Sequence, residues 1–181
     1  EGERGHPYRI LRAVKNRFGS SNEIGVFEMG DGGLVEVKNP SELFLSERAR
    51  KSSGSVVTAL VEGVRPILAE IQALVTGPTP GQGRRSCLGA DPQRLALIVA
   101  VLEKKLGLAL FDQDIFVNVV GGMKATEPAC DLAIASALIS SLSEKIIDER
   151  TMVFGEIGLA GEIRRVSRVE SRITEAMRLG F

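Results

Sequence analysis

Two cations that stand two positions apart, Lys15 and Arg17, are the side chains whose spacing most directly suggests chemistry. They follow an alternating stretch, 8–14, that predicts a β-strand. Because residues two apart on a strand share a face, the ammonium and the guanidinium would project together. Such a pair suits a phosphate, either of a nucleotide or of a nucleic-acid backbone. A solvated basic hairpin is the plainer alternative that the spacing leaves open.

A strand, a glycine turn and a helix follow one another in the stretch 114–142, which is the second candidate for a site. The dense β-branched run at 115–120 predicts a buried strand, and a glycine pair ends it. Thr126 and Pro128 suit the start of a helix, as its cap and its first-turn proline. From residue 132 onward the apolar positions keep helical spacing. This arrangement commonly presents a loop or a helix N-terminus to a substrate.

The remaining reactive side chains exclude several kinds of site. Cys87 and Cys130 stand alone, and His6 is the one histidine of the sequence. This count excludes a zinc site of the usual Cys/His composition. It also removes a Ser-His-Asp triad, unless His6 near the start of the chain served in one. Two isolated cysteines favour a reducing compartment.

The composition predicts a soluble globular protein with one good-sized core, or a core plus part of another. Hydrophobic residues make up 44% of the 181 positions and charged residues 25%. No apolar run reaches the ~18 residues that cross a bilayer, and no signal-peptide pattern is present, so no membrane partner is expected. The formal net charge is zero. Nucleic-acid binding would therefore have to come from local patches or from parts of the protein outside this chain.

The elements that must position these residues form two groups. The first is a meander of predicted strands at 8–14, 23–29 and 34–37, followed by a short turn or helix at 39–45. The charged stretch 46–53 has no apolar periodicity and predicts a linker. An ordinary charged surface loop would show the same pattern, and the two interpretations are compatible.

From Gly54 onward strands and helices alternate, which predicts an α/β domain. Residues 65–76 have apolar side chains at helical spacing, but their context favours a strand. The stretch 77–83, rich in glycine and proline, and the two arginines after it predict an exposed loop. The other predicted elements are a strand at 55–62, a helix at 92–106, short strands at 152–157 and 162–166, and a final helix.

The final helix is predicted to begin at a capping box formed by Ser167 and Glu170. Gly180 stands where a C-cap glycine would lie. Arg172 and Arg178 would then belong to a solvated face. The predicted inward face consists of Val169, Ile173, Ala176 and Met177.

Five stretches, taken in order, resemble the RadA family (also called Sms) of DNA repair and recombination proteins. The resemblance covers essentially the whole chain, and five separate stretches in the right order make it specific. They are KNRFG at 15–19 with SSNEIGVFEM after it, NPSELFL at 39–45, EGVRPILAEIQALV at 62–75, DIFVNVVGG at 114–122 and GEIGLAGEIRRV at 155–166.

The resemblance implies a zinc-binding segment, a RecA-like ATPase core with a Walker A loop, and a C-terminal domain similar to the proteolytic domain of Lon. This sequence has no GxxxxGK[ST] loop and no Cys₄ cluster. We therefore expect an α/β (α+β) fold in which 1–45 are the last strands of the ATPase core and 46–53 are a linker. Residues 54–181 would be a Lon-like domain that is truncated at its C-terminus.

The family also implies a role for the KNRFG motif, which is Lys15, Asn16, Arg17, Phe18 and Gly19. In related hexameric ATPases such a Lys-x-Arg pair reaches the nucleotide of the neighbouring subunit, where a cation stabilises charge on the transferred phosphoryl group. ATP and Mg²⁺ would be bound mainly outside this chain, and zinc only in a preceding segment.

The implied activity is that of an ATP-driven motor for branch migration in recombination. It would act on single-stranded or branched DNA as a hexameric ring, with the recombinase RecA as a partner. Its expected location is the bacterial cytoplasm, or an organelle if the source is eukaryotic.

The Lon pattern has a Ser-Lys dyad, and this chain departs from it at both positions. Ala129 stands at the serine position and Glu170 at the lysine position. A methyl group cannot attack a carbonyl, so the resemblance implies a domain without peptidase chemistry. An active Lon-like peptidase is the alternative function, and Cys130, one residue away, is the nucleophile that could support it.

Basic side chains in three places could face the channel of such a ring and contact DNA. A plainer possibility is that the domain only holds subunits together. The candidates are Arg48, Arg50, Lys51, Arg84, Arg85, Arg164, Arg165 and Arg168.

Overall fold

The chain opens with an antiparallel meander of three strands. In the computed structural model, which describes residues 8–12, 17, 24–30, 32–46, 48, 51–63, 65–78 and 83–181, they are β1 (Tyr8–Arg12), β2 (Ile24–Gly30) and β3 (Gly33–Glu36). β2 lies between the other two, and Ile10 is opposite Val26. The alternating sequence pattern therefore predicted this meander correctly, with differences at the strand ends.

A short helix, α1 (Pro40–Leu45), follows the meander and packs on the second part of the chain. Asn39 caps it by accepting a hydrogen bond from the backbone N–H of Glu42. The buried hydroxyl of Ser41 donates to Glu175 and accepts from the backbone N–H of Leu68. Phe44 is buried in the core that also contains Val26. The meander, α1 and the second part of the chain therefore share one hydrophobic core.

Four strands form the main sheet: β4 (Ser55–Glu62), β5 (Arg65–Pro78), β6 (Arg85–Leu88) and β7 (Gln113–Val119). Their order is β4-β5-β7-β6, with β6 parallel to β7 and the other pairs antiparallel. Residues 65–76 are thus a strand, as their context predicted. Arg85 was expected in a loop, but it begins β6, because its backbone pairs with Ile115.

Two helices cover one face of the main sheet. α2 (Pro92–Leu106) has the predicted cap, since Asp91 accepts from the N–H groups of Gln93 and Arg94. Gly107 ends it in the left-handed conformation. α3 (Asp131–Ser143) buries most of its length against this face. The core between them includes Ile115, Val117, Val119, Leu95, Ile98, Ile134 and Leu138.

A two-stranded hairpin and a last helix complete the described fold. The hairpin is β8 (Glu156–Ile157) with β9 (Ile163–Arg164), and the helix is α4 (Val169–Arg178). The strands predicted at 152–157 and 162–166 are shorter than expected. Met152 makes only an isolated bridge to Val57. No helix in the described ranges is long and apolar enough to cross a membrane.

The predicted capping box of α4 is wrong, and its predicted inward face is right only at Val169 and Ala176. Arg168, in a left-handed conformation, occupies the N-cap position without a side-chain cap bond. Ile173 and Met177 are 43% and 69% exposed. Besides Ala176 the helix buries Arg172, because Arg172 has ionic and carbonyl partners inside the molecule. The mixed α/β class is confirmed, whereas the RecA-like and Lon-like assignments stay predictions.

Candidate functional site

The glycine turn after β7 is shaped by a contact with α1. The chain leaves β7 through a 3₁₀ turn (Val120–Gly122) in which Gly121 has a positive φ of 80°. A Cβ atom at Gly121 would lie 2.5 Å from Cδ1 of Phe44, well inside the normal contact distance. Only glycine combines this backbone conformation with room for the phenylalanine ring.

A second 3₁₀ turn (Pro128–Cys130) leads directly into α3. Thr126 was expected to cap this helix, but Glu127 occupies the N-cap position of the turn, and no side-chain cap bond forms. The carboxylate of Glu127 instead accepts a hydrogen bond of 2.8 Å from the backbone N–H of Val61 in β4. The turn is therefore fixed to the main sheet rather than capped locally.

Ala129, at the position of the Lon serine, lies inside the protein. It is buried, and its carbonyl oxygen accepts from the backbone N–H of Gly155 at 2.8 Å. The backbone N–H of Leu132 donates in return to the carbonyl of Gly155 at 3.0 Å. Glu170, at the lysine position, is exposed in the first turn of α4. The serine position thus lies in a buried, hydrogen-bonded contact between two backbone segments, which we call the closed junction. The lysine position is a carboxylate on the surface.

Cys130 is fully buried, which bears on its suitability as a nucleophile. Burial raises the pKa of its thiol far above the usual range, and the nearby carboxylate of Glu127 raises it further. The thiolate is the nucleophilic form of cysteine, so this residue is held in its unreactive form. The arrangement offers no attacking group for peptide hydrolysis at 129 or 130.

We expect Cys130 to react with a disulfide reagent such as DTNB at least ~100-fold more slowly than Cys87, because only local opening would expose it. Cys87 is partly buried, and burial together with Asp91 also raises its pKa, so its own reaction should be moderate. Cys87→Ser and Cys130→Ser variants show which thiol gives the fast phase and which the slow phase of the reaction. Equal rates for both thiols in the folded protein would contradict the burial of Cys130.

A buried ion pair joins α4 to the turn before α3. The guanidinium of Arg172, with no exposed surface, donates from Nη2 to Glu127 Oε2 at 2.5 Å and from Nη1 to Oε1 at 3.0 Å. It also donates to the carbonyls of Ala59 and Ser167 and lies 6.0 Å from the ring of Phe154. Three segments that are distant in sequence are joined by one side chain.

Reasoning from the sequence missed this residue, since Arg172 was assigned to a solvated face. A signal was nevertheless present. Val169, Arg172, Ala176 and Leu179 keep helical spacing as well as the chosen apolar set does, and in the structure all four are buried or partly buried.

A second ion pair lies at the start of α3, at the edge of a cavity of about 430 Å³. Arg94 on α2 donates from Nε to Oδ1 of Asp131 at 2.8 Å and from Nη2 to Oδ2. The backbone N–H of Ile157 also donates to Oδ2, at 3.0 Å, and Glu156 lies 3.7 Å from the guanidinium. Asp131 is fully buried. It is the one charged residue of α3, which was the available signal for it.

Two of the predicted DNA-contacting arginines donate to backbone carbonyls of the chain. Arg48, mostly buried, donates to the carbonyl of Glu149 at 2.7 Å and to the hydroxyl of Ser55 at 3.2 Å. Arg85 donates to the carbonyls of Gln113 at 2.8 Å and Leu110 at 3.0 Å. Both guanidinium groups therefore stabilise loops of the fold.

The other basic candidates lie nearer the solvent. Arg84 and Arg164 are exposed, but each forms an ion pair, with Asp114 and Glu162 respectively. The exposed candidates Lys51, Arg165 and Arg168 lie on the surface, the last two between β9 and α4. Arg50 falls outside the described residues.

Most of the KNRFG motif also falls outside the described residues. Of its members, Arg17 is described, and it is exposed. The proposed contact of Lys15 and Arg17 with a phosphate therefore stays a prediction from the sequence, together with the assignment of Asn16, Phe18 and Gly19 to the motif.

Comparison with known proteins finds relatives over the full length of the chain. It is 58% identical to the DNA repair protein RadA of Streptococcus pyogenes serotype M3, 56% to that of Streptococcus pneumoniae and 54% to that of Halalkalibacterium halodurans. Each match covers 100% of this chain and 40%, 43% and 40% of the relative. The chain thus spans about two fifths of the length of these relatives.

A family described as "Subunit ChlI of Mg-chelatase" matches residues 94–181, from α2 through α4. The similarity to RadA proteins includes this part and extends over the meander and the first strands of the main sheet. The chain is therefore similar along its whole length to DNA repair proteins named RadA, the resemblance that the five stretches of its sequence predict.

Proposed function

We propose that this chain is a non-proteolytic module for subunit assembly and DNA contact in an ATP-dependent DNA repair motor. The observation that carries the proposal is the closed junction at Ala129, since a Lon-like domain without a nucleophile must serve another purpose. The names of the RadA relatives supply the process, DNA repair. Branch migration, a hexameric ring and cooperation with the recombinase RecA are the finer parts of the same proposal.

Lys15 and Arg17 are the part of the proposal that concerns ATP. A cation supplied from a neighbouring subunit would stabilise negative charge on the phosphates and couple turnover to movement between subunits. Among the described residues no group of histidine, cysteine or acidic side chains could hold a metal ion. Mg²⁺ and most contacts to the nucleotide would therefore be provided by residues outside the described part of the chain.

Exchanging Lys15 or Arg17 for alanine is expected to abolish most of the DNA-stimulated ATP turnover of the intact gene product while leaving it folded. A loss of ~10³-fold or more is typical when a trans-acting cation is removed. Lys38→Ala, which removes an exposed cation just after the same meander, is the matched control. Wild-type turnover in both Lys15→Ala and Arg17→Ala would end the proposal for this pair.

DNA contact is proposed mainly for the basic group between β9 and α4. Arg165 and Arg168 are exposed there, and Arg164 is beside them. Arg48 and Arg85 are less suited to phosphates, because their guanidinium groups already donate to carbonyls of the chain. Neutralised phosphates release counterions, so this proposal predicts a specific dependence of affinity on salt.

The double variant Arg165→Ala/Arg168→Ala is expected to bind oligo-dT more weakly and to reduce the salt slope of log K by about 1.4, since each single-strand contact contributes about 0.7. Fluorescence anisotropy of the intact protein over a salt series measures the slope. Lys104→Ala/Lys105→Ala removes two exposed cations from the last turn of α2 and should leave the slope unchanged. An unchanged slope in the arginine variant places the DNA contacts elsewhere.

An active Lon-like peptidase was the alternative function, and no observation on the described residues favours it. Ala129 has no nucleophilic atom, and the thiol of Cys130 is buried with a raised pKa. The non-proteolytic role is therefore the function that the site supports best.

A further inference from the structure

One face of the main sheet is only partly covered. Along β7, Ile115 and Val117 point into the core under α2 and α3, so Phe116 lies on the opposite side. On that opposite side α1 and α4 cover the centre of β4 and β5, where Leu68 and Ala59 are buried. Phe116 is 38% exposed. The cover thus ends before the sheet does, at the side of β7 and β6.

The uncovered part has two rows of side chains across three strands. Leu74 and Leu88 are 57% and 68% exposed, which is unusual for leucines within a sheet. The same surface borders a cavity of about 390 Å³. From β5 through β7 to β6, the rows are Leu74, Phe116 and Ser86, and then Gln72, Asn118 and Leu88.

β6 is also the edge of the sheet. It pairs with β7 on one side, and no other strand among the described residues pairs with it. An edge strand presents N–H and C=O groups that another extended chain can use. β6 has four residues, Arg85–Leu88. The exposed apolar side chains reach this edge, because Leu88 belongs to β6.

The charges on this face distinguish between kinds of partner. Asp114 accepts from Nε and Nη2 of Arg84 at 3.1 and 2.9 Å. Buried Glu70 accepts from the hydroxyl of Ser55 at 2.5 Å and lies 3.9 Å from Arg48. Both arginines thus already face carboxylates, whereas binding a nucleic acid requires cations that can pair with phosphates. The face suits an uncharged, apolar occupant.

We propose that the edge of β6, together with Leu88 and Phe116, binds an extended segment of another protein. The segment adds a strand beside β6 through backbone hydrogen bonds. Its alternate apolar side chains pack against Leu88 and, across Ser86, against Phe116. Strand addition to a free sheet edge is an established mode of peptide recognition, in which the backbone supplies affinity and alternate side chains supply specificity. This surface does not include Arg164, Arg165 or Arg168, the arginines between β9 and α4 for which DNA contact is mainly proposed.

A synthetic array of nine-residue peptides with Val, Ile, Leu or Phe at alternate positions tests the proposal. Each peptide carries a fluorophore, and its anisotropy is measured against the intact protein. We expect a subset to bind, with affinity reduced at least 10-fold by Phe116→Asp. N-methylation of alternate amides in the best peptide should abolish binding, because strand addition needs those donors. Phe111→Asp, at an exposed phenylalanine outside β7, should leave binding unchanged.

Four results would overturn the proposal. The first is that no peptide binds above the background of the Phe116→Asp variant, and the second is that the N-methylated peptide binds equally well. The third is that Phe116→Asp has a lower oligomer mass by light scattering while peptide binding is intact. The fourth is that Phe116→Asp loses affinity for oligo-dT and not for the peptide. The third result would assign the surface to a second copy of the chain, and the fourth to DNA. If Phe116→Asp fails to fold by circular dichroism, Leu88→Lys replaces it in every comparison.

Discussion

Glu127→Ala is expected to lower the free energy of unfolding by about 3–5 kcal/mol, the usual cost of leaving a buried charge without its partner. The variant leaves the guanidinium of Arg172 fully buried, with only the carbonyls of Ala59 and Ser167 as acceptors. It also removes the acceptor for the backbone N–H of Val61. Urea unfolding of the intact protein, with hydrogen exchange of α4 as the local readout, measures the loss.

Substitution of the other partner of the ion pair separates the contribution of the charge from that of side-chain packing. Arg172→Met keeps most of the side-chain volume and leaves Glu127, whose side chain is 27% exposed and can be hydrated. We expect a smaller loss of about 2 kcal/mol. Glu170→Ala, which removes an exposed carboxylate from α4, should change stability by less than about 0.5 kcal/mol. Equal losses in Glu127→Ala and Glu170→Ala would show that the buried pair does not stabilise α4.

Arg94→Met, which removes the partner of the first residue of α3, is expected to have an effect of similar size, about 3–5 kcal/mol. It leaves the carboxylate of Asp131 completely buried, with the backbone N–H of Ile157 still donating to it. The β8–β9 hairpin depends on that carboxylate, so protection of the Ile157 amide from exchange should fall together with global stability.

The matched control for this variant is Lys104→Met on the same helix. It also exchanges a cation for a methionine, but at an exposed position in the last turn of α2. We expect stability within about 0.5 kcal/mol of the wild type and an unchanged Ile157 amide. If both variants behaved alike, the Arg94–Asp131 pair would have no special role in holding the hairpin.

The sequence predicted the structure correctly where the residues of a single element determine its conformation. Asp91 followed by Pro92 predicted the start of α2, and the glycine pair after β7 predicted the turn. The strand at 65–76 followed from its context. In each case the decisive forces, capping hydrogen bonds and backbone conformation, act within a few residues.

The errors arose where a distant partner decides the outcome. α4 turns Arg172 inward because Glu127 lies 45 positions away in the sequence and beside it in space. β6 forms because β7 is available to pair with it, which the preceding glycine- and proline-rich stretch gave no reason to expect. Likewise, the sequence shows that alanine and not serine stands at position 129, but only the packing shows that Cys130 is buried.

The ring of Phe44 occupies the space that a side chain at Gly121 would need, and Val26 lies in the same core. Bending between the opening meander and the main sheet would have to expose a phenylalanine, at a cost of about 1.5–3 kcal/mol. A displacement of the meander would be transmitted to the main sheet through this shared core.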